Sequence, residues 1–136
     1  MEQNKTILAV DDQKHFLHLL TYNLKKTGFN VTAASTGEEA IEIAKLHQID
    51  LLVIDYELPG FNGCETVRAI KRSESYRDLP TIMLTGRGQA NIKEVAKAEG
   101  VTVFLTKPFS PTELLQHVQT QLDPLHRANS LDSSYL

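Results

Sequence analysis

The sequence is poor in cysteine and has no tryptophan, and Cys64 is its single cysteine. One cysteine excludes an intrachain disulfide, which fits a reducing compartment. The chain also lacks any apolar run near the ~20 residues that a membrane-spanning helix needs, and its first residues carry no secretory signal. We therefore expect a cytoplasmic protein with no membrane partner.

Neither positive nor negative charge dominates the sequence. The chain holds 14 Lys and Arg against 17 Asp and Glu, a formal net charge of −3 at pH 7. Lys71-Arg72 is too short a basic run to indicate nucleic-acid binding. Soft-metal sites are unsupported, because Cys64 is solitary and the five histidines form no tight ligand spacing. The sequence thus predicts neither a nucleic-acid partner nor a zinc site.

The length of the chain fits one domain. With 136 residues, 41% of them hydrophobic, the chain can bury a core without disulfides or structural metals. We expect one domain over residues 1–122, followed over residues 123–136 by a mobile tail rich in Ser, Asn and Asp. Such a tail is too short for an output domain.

Five short runs of β-type composition are the clearest structural signal. They cover Thr6–Val10, Asn30–Ala34, Asp50–Ile54, Thr81–Thr85 and Val101–Leu105. Three of these runs are continuously apolar instead of alternating between apolar and polar residues. That pattern is typical of strands buried on both faces, as in a parallel sheet.

Helical patterns fill the intervals between these runs. Helices are predicted over Lys14–Lys26, from the cap Thr36, over Asn62–Ser73, over Asn91–Glu99 and from the cap Ser110 through Leu122. Thr36 with Glu39, and Ser110 with Glu113, have the spacing of a capping box. Strand and helix thus alternate five times. This predicts an α/β fold of right-handed βαβ units: a doubly wound, flavodoxin-like (βα)5 parallel sheet with strand order 2-1-3-4-5.

Chemically active side chains follow four of the five predicted strands. Asp11 and Asp12 follow the first, Asp55 the third and Thr85 ends the fourth, while Lys107 lies just past the fifth. Ligands of open α/β sheets bind outside the carboxyl ends of the strands, so we expect these groups to converge at one edge. Each alone has a structural explanation, because carboxylates cap helices, threonine hydroxyls close turns and most lysines are solvated. Their joint placement favours a site.

The chemistry of this group of residues indicates a hard metal ion and phosphoryl transfer. Three clustered carboxylates repel one another unless a cation joins them. Their oxygen-only donor set suits Mg²⁺, for which Mn²⁺ could substitute. A carboxylate beside such an ion can attack phosphorus and become an acyl phosphate, and an ammonium then neutralises the transferring oxygens. Asp55 is central in the predicted strand order, which makes it the candidate nucleophile, with Lys107 and Thr85 as candidate phosphoryl ligands.

The order and spacing of these residues resemble the receiver domain of two-component response regulators, over nearly the whole chain to about Leu122. The matching motifs are Asp11-Asp12, Asp55 in Ile-Asp-Tyr-Glu-Leu-Pro-Gly, Thr85 in Met-Leu-Thr-Gly, and Lys107-Pro108 in Leu-Thr-Lys-Pro-Phe. The resemblance implies that a histidine kinase or a histidine phosphotransfer protein phosphorylates Asp55. It also implies a metal site for Mg²⁺ made by Asp12, Asp55 and the backbone carbonyl of Glu57, with Asp11 assisting. Finally, it implies that Lys107 binds the phosphoryl oxygens and that the Lys107–Pro108 peptide bond is cis.

The resemblance further implies a switch that changes a protein-binding surface. Thr85 would move towards a phosphate on Asp55, and an aromatic side chain three residues before the lysine would turn inward. Phe104 holds that position, where the family often has tyrosine, so the phenolic hydroxyl is missing; a plain core role in the fifth strand is the alternative. A downstream protein target is expected at Asn91–Glu99 or on the outer face of Pro111–Leu122.

Two further residues are candidates for tuning the lifetime of the phosphate. Glu57 lies two residues beyond Asp55, and Arg87 lies two residues beyond Thr85, so both side chains could overhang the site. We hypothesise that they pair and hinder the water that would hydrolyse the acyl phosphate. The alternative is an exposed ion pair worth under about 1 kcal/mol, with no kinetic role.

Three other functions compete with a phospho-accepting signalling switch. A small aspartyl-nucleophile phosphatase usually has Asp-x-Asp after its first strand, whereas Asp11-Asp12 has no spacer. A flavin- or nucleotide-binding protein needs a glycine- or hydroxyl-rich phosphate loop there, which this chain lacks. A protein-interaction module that works without phosphorylation would be marked by loss of an acidic or lysine position, and none is missing. The sequence therefore favours a switch with no classical enzyme activity, acting as a monomer or weak dimer without an output domain.

Overall fold

A five-stranded parallel sheet lies at the centre of the computed structural model, which describes residues 5–86 and 91–123. In chain order the strands are β1 (Thr6–Val10), β2 (Asn30–Ala34), β3 (Leu51–Asp55), β4 (Thr81–Thr85) and β5 (Val103–Thr106). Every neighbouring pair in the sheet is parallel. The order β2-β1-β3-β4-β5 confirms the doubly wound topology predicted from the alternation of strands and helices.

Helices connect the strands, as predicted. They are α1 (Lys14–Lys26), α2 (Gly37–Leu46), α3 (Gly63–Lys71), α4 (Ile92–Ala98) and α5 (Pro111–Leu122), with a 3-10 turn at Glu74–Tyr76. Among the described residues, no helix is both long enough and apolar enough to cross a membrane. The predicted mobile tail lies, apart from Asp123, outside the described residues.

The two faces of the sheet are covered by different helices, which gives two apolar clusters. One cluster joins α1 and α5 to the strands and contains Ile7, Ala9, Leu20, Leu24, Leu51, Val53, Ile82, Leu84, Leu105, Leu114 and Val118. On the opposite face α2, α3 and α4 contribute Ala40, Val67 and Ala96, which pack with the alternate residues of the same strands. All five residues of β3 and of β4 are buried, as their continuous apolar runs predict.

Two strands differ from the prediction at both ends: β3 covers Leu51–Asp55 and β5 covers Val103–Thr106. β3 begins at Leu51, one residue later than predicted. Asp50 still contacts β1, because its backbone N–H donates to the carbonyl of Thr6 at 2.8 Å and its carboxylate accepts from the N–H of Thr6 at 2.8 Å. β3 continues through Asp55, which pairs in register with Leu84 of β4. The other difference is β5, which begins two residues later than predicted because the N–H of Val101 still bonds a carbonyl at the end of α4.

The caps of the helices are partly those predicted. The Thr36 hydroxyl accepts from the N–H of Glu39 at 3.1 Å, but the Glu39 carboxylate accepts from the N–H of Ser35 at 2.8 Å instead of returning to Thr36. The predicted reciprocal box at Thr36 is therefore wrong in its second half. A complete capping box occurs at Asn62 and Glu65, and it fixes the start of α3 directly after the loop that follows β3.

Candidate functional site

Three carboxylates meet at the carboxyl edge of the sheet. Asp11 and Asp12 follow β1, and Asp55 is the last residue of β3; one oxygen from each lies within 4.8 Å of the others. The strands enforce this meeting, because β1 and β3 are neighbours and Val10 pairs with Ile54 in register. The structure thus brings together the three acidic residues that the sequence places at separate strand ends.

The backbone orients two of these carboxylates. Asp11 is fully buried, and its Oδ1 accepts a hydrogen bond from the N–H of Gln13 at 2.9 Å. Asp55 is 5% exposed, and its Oδ1 accepts from the N–H of Glu57 at 3.3 Å. Asp12 is exposed. Two carboxylates are therefore fixed inside the site, and the third stands at its rim.

Lys107 supplies the counter-charge for the buried pair. Its Nζ lies 2.8 Å from Asp11 Oδ2 and 3.1 Å from Asp55 Oδ2. The N–H of Lys107 donates to the carbonyl of Thr85 at 2.8 Å, which ties the end of β5 to the end of β4. The Lys107–Pro108 peptide bond is cis. One ammonium thus bridges residues that are 96 and 52 positions away in sequence.

The electrostatics of the cluster favour the protonated form of the Asp55 carboxyl group. Burial, and then the charge of Asp11, raise the pKa of Asp55 from 3.8 to about 6, although Lys107 lowers it in part. Burial lowers the pKa of Lys107, but the hydrogen bond and charge of Asp11 and the charge of Asp55 outweigh it and raise the pKa overall. Without a further cation the site therefore holds an excess of negative charge.

The site opens into a pocket of about 210 Å³. Its lining residues are Asp12, Gln13, Asp55, Glu57, Gly86 and Lys107. Glu57 is exposed at its rim. Arg87, its predicted pairing partner, lies outside the described residues.

The pleat of the strands divides the other predicted site residues between the two faces of the sheet. Residues two apart in a strand point to the same face. Asp55 therefore shares the α1–α5 face with Val53, whereas buried Thr85 shares the opposite face with Met83. Phe104 pairs in register with Met83 and is partly buried against the cluster of α2, α3 and α4. Thr85 and Phe104 thus lie on the α4 side.

The donor set fits Mg²⁺. The clustered ligand atoms of Asp11, Asp12 and Asp55 are all carboxylate oxygens, the donors that hard divalent cations prefer. A divalent ion would also offset the negative charge that Lys107 alone leaves uncompensated. The residues therefore suit such an ion on chemical grounds.

Two site features were missed at the level of sequence. The N–H of Gln13 orients Asp11, and the ring of Phe16 lies beneath the Lys107 ammonium, 4.3 Å from Nζ to the ring centre. Phe16 belongs to the apolar pattern of α1, so its spacing indicates only a core position. The segment that carries Lys107 is 91 positions away in the chain, and no local pattern links the two.

Comparison with known proteins defines the class. The sequence model of the family described as the response regulator receiver domain matches residues 7–119. This chain belongs to that family. The doubly wound sheet is that of a two-component receiver domain.

Individual relatives agree with this assignment. The alkaline phosphatase synthesis transcriptional regulatory protein PhoP of Bacillus subtilis is 37% identical over 119 residues, which cover 88% of this chain and 49% of PhoP. The phosphate regulon transcriptional regulatory protein PhoB of Pseudomonas aeruginosa is 35% identical over 118 residues, covering 87% of this chain and 52% of PhoB. The chain thus spans about half the length of these curated relatives.

This chain matches solved receiver-type structures over nearly their full length. The chemotaxis response regulator CheY4 of Vibrio cholerae has a TM-score of 0.83 and 33% identity, with 88% of this chain and 99% of CheY4 covered. The receiver domain of the sensor histidine kinase PA1611 of Pseudomonas aeruginosa has a TM-score of 0.80 and 28% identity, with coverages of 88% and 98%. That structure holds a magnesium ion coordinated in its active site cleft.

Proposed function

We propose that this receiver domain accepts a phosphoryl group on Asp55 from the phosphohistidine of a histidine kinase or histidine phosphotransfer protein. The observation that carries the proposal is the placement of Lys107, whose Nζ contacts Asp55 Oδ2 at 3.1 Å and Asp11 Oδ2 at 2.8 Å. The Lys107 ammonium lies beside the Asp55 carboxylate. A phosphoryl group on Asp55 would bring its negative oxygens to that same place, where the ammonium could neutralise them.

In the proposed transfer, a carboxylate oxygen of Asp55 attacks phosphorus while the P–N bond to the donor imidazole breaks. The electron pair of that bond returns to the imidazole nitrogen, which takes a proton from solvent, and Asp55 becomes an acyl phosphate. The Lys107 ammonium and the Thr85 hydroxyl donate hydrogen bonds to the transferred oxygens. The domain is thus a signalling switch rather than a classical enzyme.

Mg²⁺, or Mn²⁺ in its place, would be held by Asp12, Asp55 and the backbone carbonyl of Glu57, with Asp11 assisting. When bound, the ion supplies positive charge that offsets both the carboxylates and the phosphoryl oxygens. The chain's own part is to keep Asp55 oriented, through the N–H of Glu57 at 3.3 Å. It also keeps Lys107 beside Asp55.

The change at Asp55 would reach a protein-binding surface through Thr85 and Phe104. Thr85 would move to the phosphoryl group, and Phe104 would repack in the space on the α4 side of the sheet. Val95 on α4 is a large apolar side chain that is 53% exposed, which supports this side as a place for a downstream protein. The outer face of α5 is the second place, with the domain a monomer or weak dimer in the cytoplasm.

The test is phosphoryl transfer from a ³²P-labelled phosphotransfer protein or from acetyl phosphate, in Mg²⁺ and in chelator. We expect label on the parent protein that is lost in strong acid, in base and in hydroxylamine, as for an acyl phosphate. Asp55→Asn should carry no such label, and no label should form in chelator. Glu42→Ala, an exposed change on α2, is the matched control and should be labelled like the parent. Label on Asp55→Asn at the parent rate would overturn the assignment.

The same experiment separates the competing functions. A protein-interaction module that works without phosphorylation would take up no label under any condition. An aspartyl phosphatase would hydrolyse phosphate monoesters as well as acetyl phosphate, and would accumulate little label on Asp55 because its acyl phosphate breaks down as fast as it forms. Either result would replace the proposed function.

A further inference from the structure

The Lys107 ammonium has a neighbour besides its two carboxylates. Nζ lies over the ring of Phe16, 4.3 Å from the ring centre, well inside the ~6 Å reach of a cation–π interaction. Phe16 belongs to the first turn of α1 and is partly buried against the cluster shared by α1 and α5. The Lys107 ammonium is therefore held by three side chains: the carboxylates of Asp11 and Asp55 and the ring of Phe16.

A second aromatic side chain fixes the first. The rings of Phe16 and Phe109 meet edge to face, with centres 5.8 Å apart and planes at 87°. Phe109 lies two residues beyond Lys107, in the segment between β5 and α5, and packs against the same cluster. The ring under the ammonium is thus held by the same segment that carries the lysine.

We propose that Phe16 is a positioning residue for Lys107: the face of its ring keeps Nζ at the carboxylate cluster, ready to bind the oxygens of a phosphoryl group on Asp55, and Phe109 holds that ring. The inference rests on the proposed function, because it assigns Lys107 to the phosphoryl oxygens.

The chemistry of the contact suits this task. A lysine ammonium sits on a flexible four-carbon stem, so something must restrict it if it is to wait in one place. The ring attracts the cation through its quadrupole, without using the oxygens of Asp11, of Asp55 or of a phosphoryl group. Phe16 can therefore stay in contact with Lys107 while the ammonium exchanges the carboxylate oxygens of Asp11 and Asp55 for the oxygens of a phosphoryl group.

Helix α1 also carries a second lysine–aromatic pair, which provides a matched control for Phe16. Lys26 lies over the ring of Tyr22 at 6.0 Å, also on α1, but Tyr22 is 58% exposed and belongs to no part of the site. Tyr22→Leu removes an aromatic ring from the same helix without touching Lys107. Any effect common to Phe16→Leu and Tyr22→Leu would belong to the helix and not to the site.

The experiment compares Phe16→Leu, Phe16→Tyr, Phe109→Leu and Tyr22→Leu with the parent. The readouts are beryllofluoride affinity at saturating Mg²⁺, Mg²⁺ affinity alone, KM and maximal rate with acetyl phosphate, and the proton shifts of the Lys107 ε-methylene group. We expect Phe16→Leu to weaken beryllofluoride binding about three- to tenfold, with a raised KM for acetyl phosphate. The ε-methylene resonances should move downfield because they lose the shielding of the ring.

Rescue decides between positioning and plain packing. Phe16→Tyr keeps the ring and should restore both the affinity and the shift, Phe109→Leu should show a smaller loss, and Tyr22→Leu should match the parent. A parent-like beryllofluoride affinity in Phe16→Leu, or equal losses in Phe16→Leu and Phe16→Tyr, would overturn the inference. Urea unfolding of each variant shows whether it is folded at the temperature of the binding measurement.

Lys107→Ala separates this inference from the function on which it rests. In that background Phe16→Leu should have no further effect on beryllofluoride binding, as a double-mutant cycle requires if the ring acts through the lysine. If Lys107→Ala binds beryllofluoride like the parent, the proposed role of Lys107 itself fails. If Lys107→Ala loses affinity but Phe16→Leu does not, only the positioning role is rejected.

Discussion

Gly63, the first residue of α3, packs against the backbone of Asp55. A Cβ at Gly63 would lie 2.6 Å from the Asp55 carbonyl oxygen and 2.8 Å from the Cα of Tyr56, closer than side chains approach. The N–H of Gly63 also donates to the carbonyl of Tyr56 at 2.8 Å. The start of α3 is therefore seated directly against the residue proposed to carry the phosphoryl group.

Gly63→Ala should disturb both the fold and the site. The atoms in the way are backbone atoms, which yield poorly, so we expect a loss of about 1–3 kcal/mol in the free energy of unfolding. Displacement of Asp55 should also weaken Mg²⁺ binding, measured by calorimetry. Gly28→Ala is the control, because its φ of +108° strains an alanine while no other atom lies within 4 Å. If Gly63→Ala kept parent stability and Mg²⁺ affinity, this packing would be unimportant.

Asp55→Asn should stabilise the metal-free protein in a pH-dependent way. The folded-state pKa of Asp55 is about 6, against 3.8 for the ordinary group. The folded protein therefore binds this proton more tightly than the unfolded chain, and stability declines as pH rises from about 4 through 6. Asparagine removes that decline, so the variant should exceed the parent by about 1–3 kcal/mol at pH 8 in chelator.

Urea unfolding in chelator between pH 4 and pH 8 checks this expectation. The difference between variant and parent should shrink towards zero as the pH approaches 4. A difference that is the same at every pH would mean that ionisation of Asp55 is not its cause.

Lys107→Gln should bind Mg²⁺ more tightly than the parent. The ammonium contacts the same carboxylates, Asp11 and Asp55, that would hold the ion, so it repels an incoming cation. Its removal should raise Mg²⁺ affinity about three- to tenfold in calorimetry at low salt. Lys45→Gln, at an exposed lysine on α2 paired with Glu42, removes a charge elsewhere and should leave the affinity unchanged. Weaker Mg²⁺ binding in Lys107→Gln would contradict this account.

Glu57→Ala should shorten the life of phospho-Asp55 if Glu57 pairs with Arg87 across the pocket. An exposed ion pair is worth up to about 1 kcal/mol, so the half-life should fall by no more than about fivefold. The measurement is release of label from the phosphorylated protein after the donor is removed. Arg87→Ala should shorten the half-life as much as Glu57→Ala does, and the double variant should shorten it no further. If both single variants had the half-life of the parent, Glu57 and Arg87 would have no role in protecting phospho-Asp55 from hydrolysis.

Most of the fold was predictable because hydrophobic pattern and turn chemistry act locally. Continuously apolar runs identified β1, β3 and β4, and the alternation of strands with helical segments predicted a doubly wound parallel sheet. Strand boundaries were less predictable, because hydrogen bonds outside the strand decide them: β5 begins late because the N–H of Val101 still donates to the carbonyl of Ala96 in α4. The 3-10 turn at Glu74–Tyr76 was also missed, since nothing in its sequence differs from a loop.

The acidic cluster and its lysine could be predicted because topology places strand ends together. The contacts that orient them could not, because they join segments distant in the chain. Phe16 looks like one more apolar residue of α1, and only the folded chain brings it beneath Lys107. The pKa of Asp55 likewise depends on burial, which no local pattern supplies.

The pleat that sets Asp55 on one face of the sheet and Phe104 on the other has an evolutionary consequence. Under the proposed function, the phosphoryl group would be taken up on the α1–α5 side of the sheet and the signal would be delivered on the opposite side, with the two sides joined at the end of β4. Substitutions on the α4 side could then change the downstream protein without altering the acidic cluster on which the proposed reaction depends.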